Sequence, residues 1–312
     1  MKIKFLFCSI FAFSMSYGQY TDQINSNRPG KSFGAYSIGK TVIQAEAGTY
    51  YAQEKHELLD QKASGFGLDL ALRYGALLEE LEFIGEVQYQ SDKMNTPFDS
   101  YKRNGFKNLT VGAKYLIYDP WKKYVEKHNV YSWKANKKVK WRNLIPTVGV
   151  YAGANFNVGD NPYSFPTDAS VSPKIMLLLQ NHLAPQWVLV TNVIADKITT
   201  DFPSYGYILT LTRGINPQWS AFIENQGYMS DFYSDNIVRG GAAYLLADNM
   251  QIDASAGVNF KDTPGIFNAS IGFSWRFDKK YKPVEINSTK DSKDKSKDPS
   301  KGEKRAEEFK AE

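Results

Sequence analysis

Alternation with a period of two, sustained in segment after segment, constrains this chain more than any other feature. Ile252, Ala254, Ala256, Val258 and Phe260 are interleaved with Gln251, Asp253, Ser255, Gly257 and Asn259. Phe267, Ala269, Ile271, Phe273, Trp275 and Phe277 are interleaved with Asn268, Ser270, Gly272, Ser274 and Arg276. Successive side chains of a strand point to opposite faces, so each segment has one apolar and one polar face. About twelve such segments follow one another, at 41–52, 64–75, 81–91, 105–118, 144–156, 171–182, 187–196, 204–213, 219–228, 236–246, 250–260 and 267–277. Alternation is weakest in 171–182, where Met176 to Leu179 is continuously apolar.

Strands of about 11 residues match the length that crosses a bilayer at a tilt. Short turns join them on one side, at Leu183–Trp187, Ile215–Trp219 and Leu246–Met250, with proline or Asp-Asn in them and an aromatic beside the first two. The opposite connections, near 53–63, 92–104, 157–170, 197–203, 229–235 and 261–266, read as longer and polar. This asymmetry belongs to outer-membrane barrels. A soluble β-sandwich also alternates, but its strands are shorter and its polar faces do not carry mid-strand charge flanked by interfacial aromatics. The expectation is an all-β protein, a transmembrane antiparallel up-and-down barrel of about twelve strands spanning 41–277, in the outer membrane of a Gram-negative bacterium.

The ends carry different instructions. Lys2 and Lys4 precede an apolar run from Phe5 to Phe13, followed by Ser14, Ser16 and Gly18, which reads as a secretory signal over 1–18. The single cysteine, Cys8, lies inside that run, so disulfides and cysteine metal sites are excluded from the mature chain. Residues 19–40 are expected to form a periplasmic N-terminal segment, made pliable by Gly30, Gly34 and Gly39; whether it enters the barrel is left open. From 278 to 312 the chain is Lys, Asp, Glu and Ser with almost no apolar content, the composition of a disordered tail. That tail is either a solvated end or a tether for a periplasmic protein partner. One connection, 119–143, is far longer than a periplasmic turn and holds Trp121, Trp133 and Trp141 among lysines. It reads as an interfacial flap against lipid or the barrel rim; a periplasmic location argues against nucleic acid as its partner.

Projecting the polar faces inward gives the expected lumen lining: Glu46, Asp69, Glu82, Glu86, Glu224 and Asp253 among the acids, Arg73, Lys114, Arg239 and Arg276 among the bases. Unpaired carboxylates in such an interior are costly, so opposite charges are expected to pair. The lining is either a narrow pore that selects solutes, with a mild cation preference, or an ion-pair network that closes the lumen. Enzyme chemistry is not expected. The three histidines, His56, His128 and His182, fall in separate connections and give neither a nucleophile–base pair nor metal-ligand spacing, and nothing calls for a metal or cofactor.

Short motifs then carry a resemblance. Asn25-Ser26-Asn27-Arg28-Pro29-Gly30 before the first strand, Gln44 and Glu46 within it, and Ser220-Ala221-Phe222-Ile223-Glu224 after a Pro-Gln-Trp turn resemble the outer-membrane barrel family of the MetA pathway of phenol degradation. The resemblance covers about 25–277 and marks Asn27, Arg28, Pro29 and Gly30 as its N-terminal motif. It implies a twelve-stranded transporter-type barrel in outer-membrane lipid with a loosely assigned transport role; the expected function is a narrow channel for a small-molecule solute, hydrophobic or aromatic solutes being candidates. A structural or assembly subunit with a closed lumen is the alternative. The sequence departs from the family with Asn27 in place of an aspartate, the 119–143 insertion and the charged tail, which leaves Trp275 and Phe277 inside the chain.

Overall fold

A computed structural model describes residues 23–122, 141–159, 161–164, 168–184 and 186–278. The signal region, the tail beyond Asp278, His128 and most of the 119–143 insertion lie outside the described residues. Twelve strands form one closed barrel: β1 (Ile43–His56), β2 (Gln61–Gly75), β3 (Leu81–Asn95), β4 (Ser100–Tyr118), β5 (Thr147–Phe156), β6 (Val171–Ala184), β7 (Trp187–Asp196), β8 (Ser204–Gly214), β9 (Trp219–Ser230), β10 (Ser234–Ala247), β11 (Met250–Asn259) and β12 (Gly265–Phe277). Each pairs antiparallel with its chain neighbours, and β12 closes on β1 with Gly48 opposite Gly272. Closure leaves no strand edge unpaired, as a bilayer requires.

The period-two pattern maps directly onto the wall. The outward face of β2 is Leu68, Leu70 and Leu72, all exposed, and Val111, Ile175, Val193, Ile223 and Ile271 continue this band around the barrel. Aromatics bound it. At the end where β1 begins and β12 ends, Trp219 stacks on Tyr244 at 4.9 Å and Trp275 on Phe277 at 4.1 Å. Near the other end, Tyr51 meets Phe66 at 5.4 Å and Tyr89 meets Phe106 at 5.5 Å. The two connections of two residues, 185–186 and 248–249, lie at the end where β1 begins and β12 ends, and the long connection 157–170 lies at the other. In outer-membrane barrels the short-turn end is the periplasmic one, and the two ends are assigned on that basis.

Two expected loops are not loops. Residues 53–63 and 92–104 are mostly strand: β1 pairs with β2 through Lys55 opposite Lys62, and β3 with β4 through Asn95 opposite Ser100. Only 57–60 and 96–99 turn. The apolar half of the alternation stops where the outward face leaves hydrocarbon, whereas backbone pairing continues into water. Loss of alternation therefore marked the membrane boundary and not the strand end. In the insertion, Trp141–Leu144 forms a turn of 3₁₀-helix, and Asn143 and Leu144 bond to Leu183 and Asn181.

Candidate functional site: the occupied lumen

Residues 23–42 lie within the periplasmic half of the barrel, which answers the question left open for the segment expected over 19–40. The physical reason is a set of inward side chains that satisfy the segment's backbone. Gln44 and Arg73 donate to the Asn25 carbonyl at 3.2 and 2.6 Å. Asn192 on β7 both accepts from the Phe33 N–H at 2.7 Å and donates to its carbonyl at 2.9 Å. Gln180 accepts from Ala35 N–H, Glu82 accepts from Ile38 N–H, and Lys114 donates to the carbonyls of Gly34 and Tyr36. A polar chain segment removed from water needs such partners.

An apolar seat completes the fit. Phe33 and Ala35 pack with Ile84, Tyr151, Met176 and Leu178, all buried and all projecting from the barrel wall into the lumen. The Phe33 ring meets Tyr151 edge-on at 5.4 Å. This accounts for the weak alternation of 171–182: Leu177 faces lipid, while Met176 and Leu178 face Phe33, so both faces are apolar.

Each residue of the N-terminal motif has a definite place. The Asn27 N–H reaches Glu46 at 3.3 Å. The carbonyls of Arg28 and Pro29 accept from Gln251 and Ser255 on β11. Gly30 lies against Glu224, whose carboxylate accepts the Lys31 N–H at 2.9 Å; a Cβ at Gly30 would stand 2.6 Å from that carboxylate. Arg28 lies over the barrel's closure. Asp69, Gly48, Gly272 and Asp253 form one row across β2, β1, β12 and β11. The guanidinium rests on the two glycines, with Asp253 at 3.2 Å and Asp69 at 3.8 Å. A side chain at either glycine would collide with it.

The ten inward charges are placed as follows. Arg73 lies 2.6 Å from Glu82 and 3.1 Å from Glu46, and Lys114 lies 3.1 Å from Glu82; Arg73, Glu82 and Lys114 are at most 1% exposed. Arg239 pairs with Glu224, which also accepts from Thr210. Asp69 also takes the Lys31 ammonium at 3.0 Å. Arg276 reaches Asp278 at 3.1 Å and the Gln23 carbonyl at 2.9 Å. Glu86 is half-buried on the lumen face of β3, in the field of Lys174 and Lys31. Sequence reasoning missed the amides Gln180 and Asn192 and the Gly48–Gly272 pair, and singled out Gln44 for the family resemblance without a lumen role. Their signal was a polar or absent side chain on an inward face, which has no meaning until something is known to lie against it.

Towards the outer end, Asp92 and Arg103 pair at 2.9 Å between directly opposed positions of β3 and β4. Tyr163, from the loop 157–170, donates to the carbonyls of Gln90 and Arg103, and its ring lies 5.2 Å under the Arg103 guanidinium. Burial, then the Asp92 charge, pushes the Tyr163 phenol up from its ordinary range. His56 sits at the outer rim and His182 near the periplasmic end, 5.9 Å from Tyr36. Among the described residues no group of three His, Cys, Asp or Glu side chains is arranged to hold a metal.

The family model described as "Putative MetA-pathway of phenol degradation" matches residues 26–277. The chain belongs to this family. Its barrel is similar in fold to solved outer-membrane barrels. An outer membrane channel from Pseudomonas putida F1 superposes with a TM-score of 0.52 at 12% identity, covering 82% of this chain and 100% of that one. The CymD monoaromatic hydrocarbon channel gives 0.43 at 8% identity over 85% and 99% of the two chains. The NanC porin gives 0.48 at 11% identity over 74% and 98%. No curated protein matches the chain. The protein is an outer-membrane β-barrel of this family.

Proposed function

We propose that the barrel is a transporter for small hydrophobic or aromatic solutes, with residues 23–42 closing its periplasmic half in the state described. The observation that carries this reading is the way the segment is held. From Asn25 to Ile38 it makes no backbone-to-backbone bond to any strand among the described residues; side chains hold it throughout. A strand ladder would make the segment part of the wall. Side-chain hydrogen bonds contribute about 1 kcal/mol net each, so a seat built from them is reversible. Its apolar part, around Tyr151, Met176 and Leu178, offers an aromatic solute a surface once Phe33 moves away. The family description, with its reference to phenol degradation, supports the same solute class.

Carboxylates answered by neutral partners, Asp196 by Asn155 and Asp235 by Tyr233 and Asn259, stand with Glu86 on the lumen side and favour a mild cation preference. The filled half equally favours the second reading, a structural or assembly subunit whose partner binds 278–312. Planar-bilayer recording and uptake of a small phenol into liposomes separate the two. The transporter reading requires phenol uptake above that of empty liposomes, and discrete conductance steps that grow when Phe33→Ala loosens the seat. A silent barrel with no uptake in either form, losing a bound protein when 279–312 is deleted, would establish the subunit.

A further inference from the structure

The outward face of β1–β4 changes character abruptly above its aromatic pairs. Below Tyr51 and Phe66 the wall is leucine and valine; above them it is basic. Lys93 and Lys102 are directly opposed across β3 and β4, and Lys55 and Lys62 directly opposed across β1 and β2. All four are exposed. Like charges placed directly opposite destabilise a sheet unless something answers them. Glu57 answers Lys55 at 2.9 Å. Lys93 and Lys102 make no ion pair among the described residues. Beside them the wall is hollowed into a groove of about 460 Å³, lined by Tyr51, Ser64, Phe66 and Ser91 with the two lysines, and by Asp92, whose buried carboxylate is neutralised by Arg103 on the lumen side. The belt is local: near the outer ends of the other strands, the outward face carries Tyr205, Met229 and Phe267 instead.

Height decides what kind of anion fits. On β1 the outward face stays free of charge from Ile43 to Tyr51 and becomes polar at Gln53, a span of nine residues that matches one bilayer crossing. The groove therefore lies at the level of the outer-leaflet headgroups, with its aromatic floor at the interface and its lysines just above. We propose that it is a binding site for the phosphorylated headgroup of an outer-leaflet lipid. A phosphate sits between Lys93 and Lys102, hydroxyls of Ser64 and Ser91 bond the headgroup, and an acyl chain runs down past Phe66 onto the leucines of β2. A membrane lipid is favoured over a free anion because the cationic pair and the hydrocarbon-facing aromatics form one continuous surface.

The test is native mass spectrometry of the refolded mature protein in detergent, titrated with diphosphoryl lipid A, with its fully dephosphorylated counterpart and with inorganic phosphate. Two interfacial lysines contribute about fivefold each to binding of an anionic lipid, so Lys93→Gln with Lys102→Gln should weaken the diphosphoryl lipid roughly thirtyfold. A charge-matched control at the periplasmic end, Lys40→Gln with Arg213→Gln, should leave it unchanged. Heat-modifiable gel mobility verifies that each variant is folded, and single substitutions stand in for a pair that fails to fold. Equal loss in both double variants would overturn the proposal, as would equal affinity for the dephosphorylated lipid. Competition by inorganic phosphate at the lipid's own concentration would assign the groove to a free anion and overturn it too.

Discussion

The two halves of the lumen use the same chemistry to different ends. In the outer half, Asp92 and Arg103 face each other from adjacent strands, and Lys107 and Glu54 approach to 3.8 Å while each remains about a third exposed. These pairs join wall to wall, and water reaches some of their members. In the periplasmic half, Glu46, Arg73, Glu82 and Lys114 are sealed, and each also holds part of residues 23–42. A wall pair can lose a partner to solvent. A sealed group that also anchors a foreign segment cannot, because no water replaces what is lost. The difference teaches that the inner charges are shaped around the segment and the outer ones around the wall.

The sharpest way to break that comparison is to neutralise one carboxylate in each half. Glu82→Gln leaves Arg73 and Lys114 with Glu46 alone and should cost about 3–5 kcal/mol of unfolding free energy. Asp92→Asn, whose partner Arg103 retains some solvent, should cost about 1.5–3 kcal/mol. Urea unfolding of the two variants in the same detergent compares them directly, and equal costs would mean that the halves do not differ. Next in size, Phe33→Ala should cost about 3–4 kcal/mol, but from the seating of the segment. The barrel's own unfolding midpoint should stay near that of the unaltered protein while its conductance rises. A lowered midpoint with unchanged conductance would make Phe33 part of the wall's core.

The wall was legible in the sequence because a bilayer forces alternation. Outward residues from Leu68 to Leu72 had to be apolar, and inward Asp69 and Arg73 did not. All twelve strands followed from that, as did the inward direction of the ten charges. The occupant was not legible. Residues 23–42 have no period, since they form neither helix nor strand, and their fit depends on side chains from strands far apart in sequence. Met176 and Leu178 broke the expected alternation, yet they, like Ile84, are apolar residues on a polar face because Phe33 lies against them. The strand ends were misjudged for a related reason: at Lys55 and Lys93 the solvent changes, and the backbone pairing does not.

A smaller effect tests whether Arg28 joins the segment to the closure. In Gly48→Ala the new Cβ should meet the guanidinium and cost about 1–3 kcal/mol. In an Arg28→Ala background it should cost almost nothing, so the double-mutant cycle should return nearly the whole penalty as coupling. If the penalty persists without Arg28, the glycine is required by the β1–β12 pairing itself.

The smallest effect belongs to the outer half. Tyr163→Phe removes hydrogen bonds of 3.2 and 3.3 Å to the carbonyls of Gln90 and Arg103 but leaves the ring under Arg103. The expected loss is about 0.5–1.5 kcal/mol, read as faster amide exchange in the neighbouring turn 96–99 and the outer ends of β3 and β4. Conductance should not change if the proposed closure lies below, between Asn25 and Ile38. A rise in conductance on removal of one hydroxyl at the mouth would move the constriction to the outer half. The wall-to-wall pairs there would then be doing the work assigned to the segment.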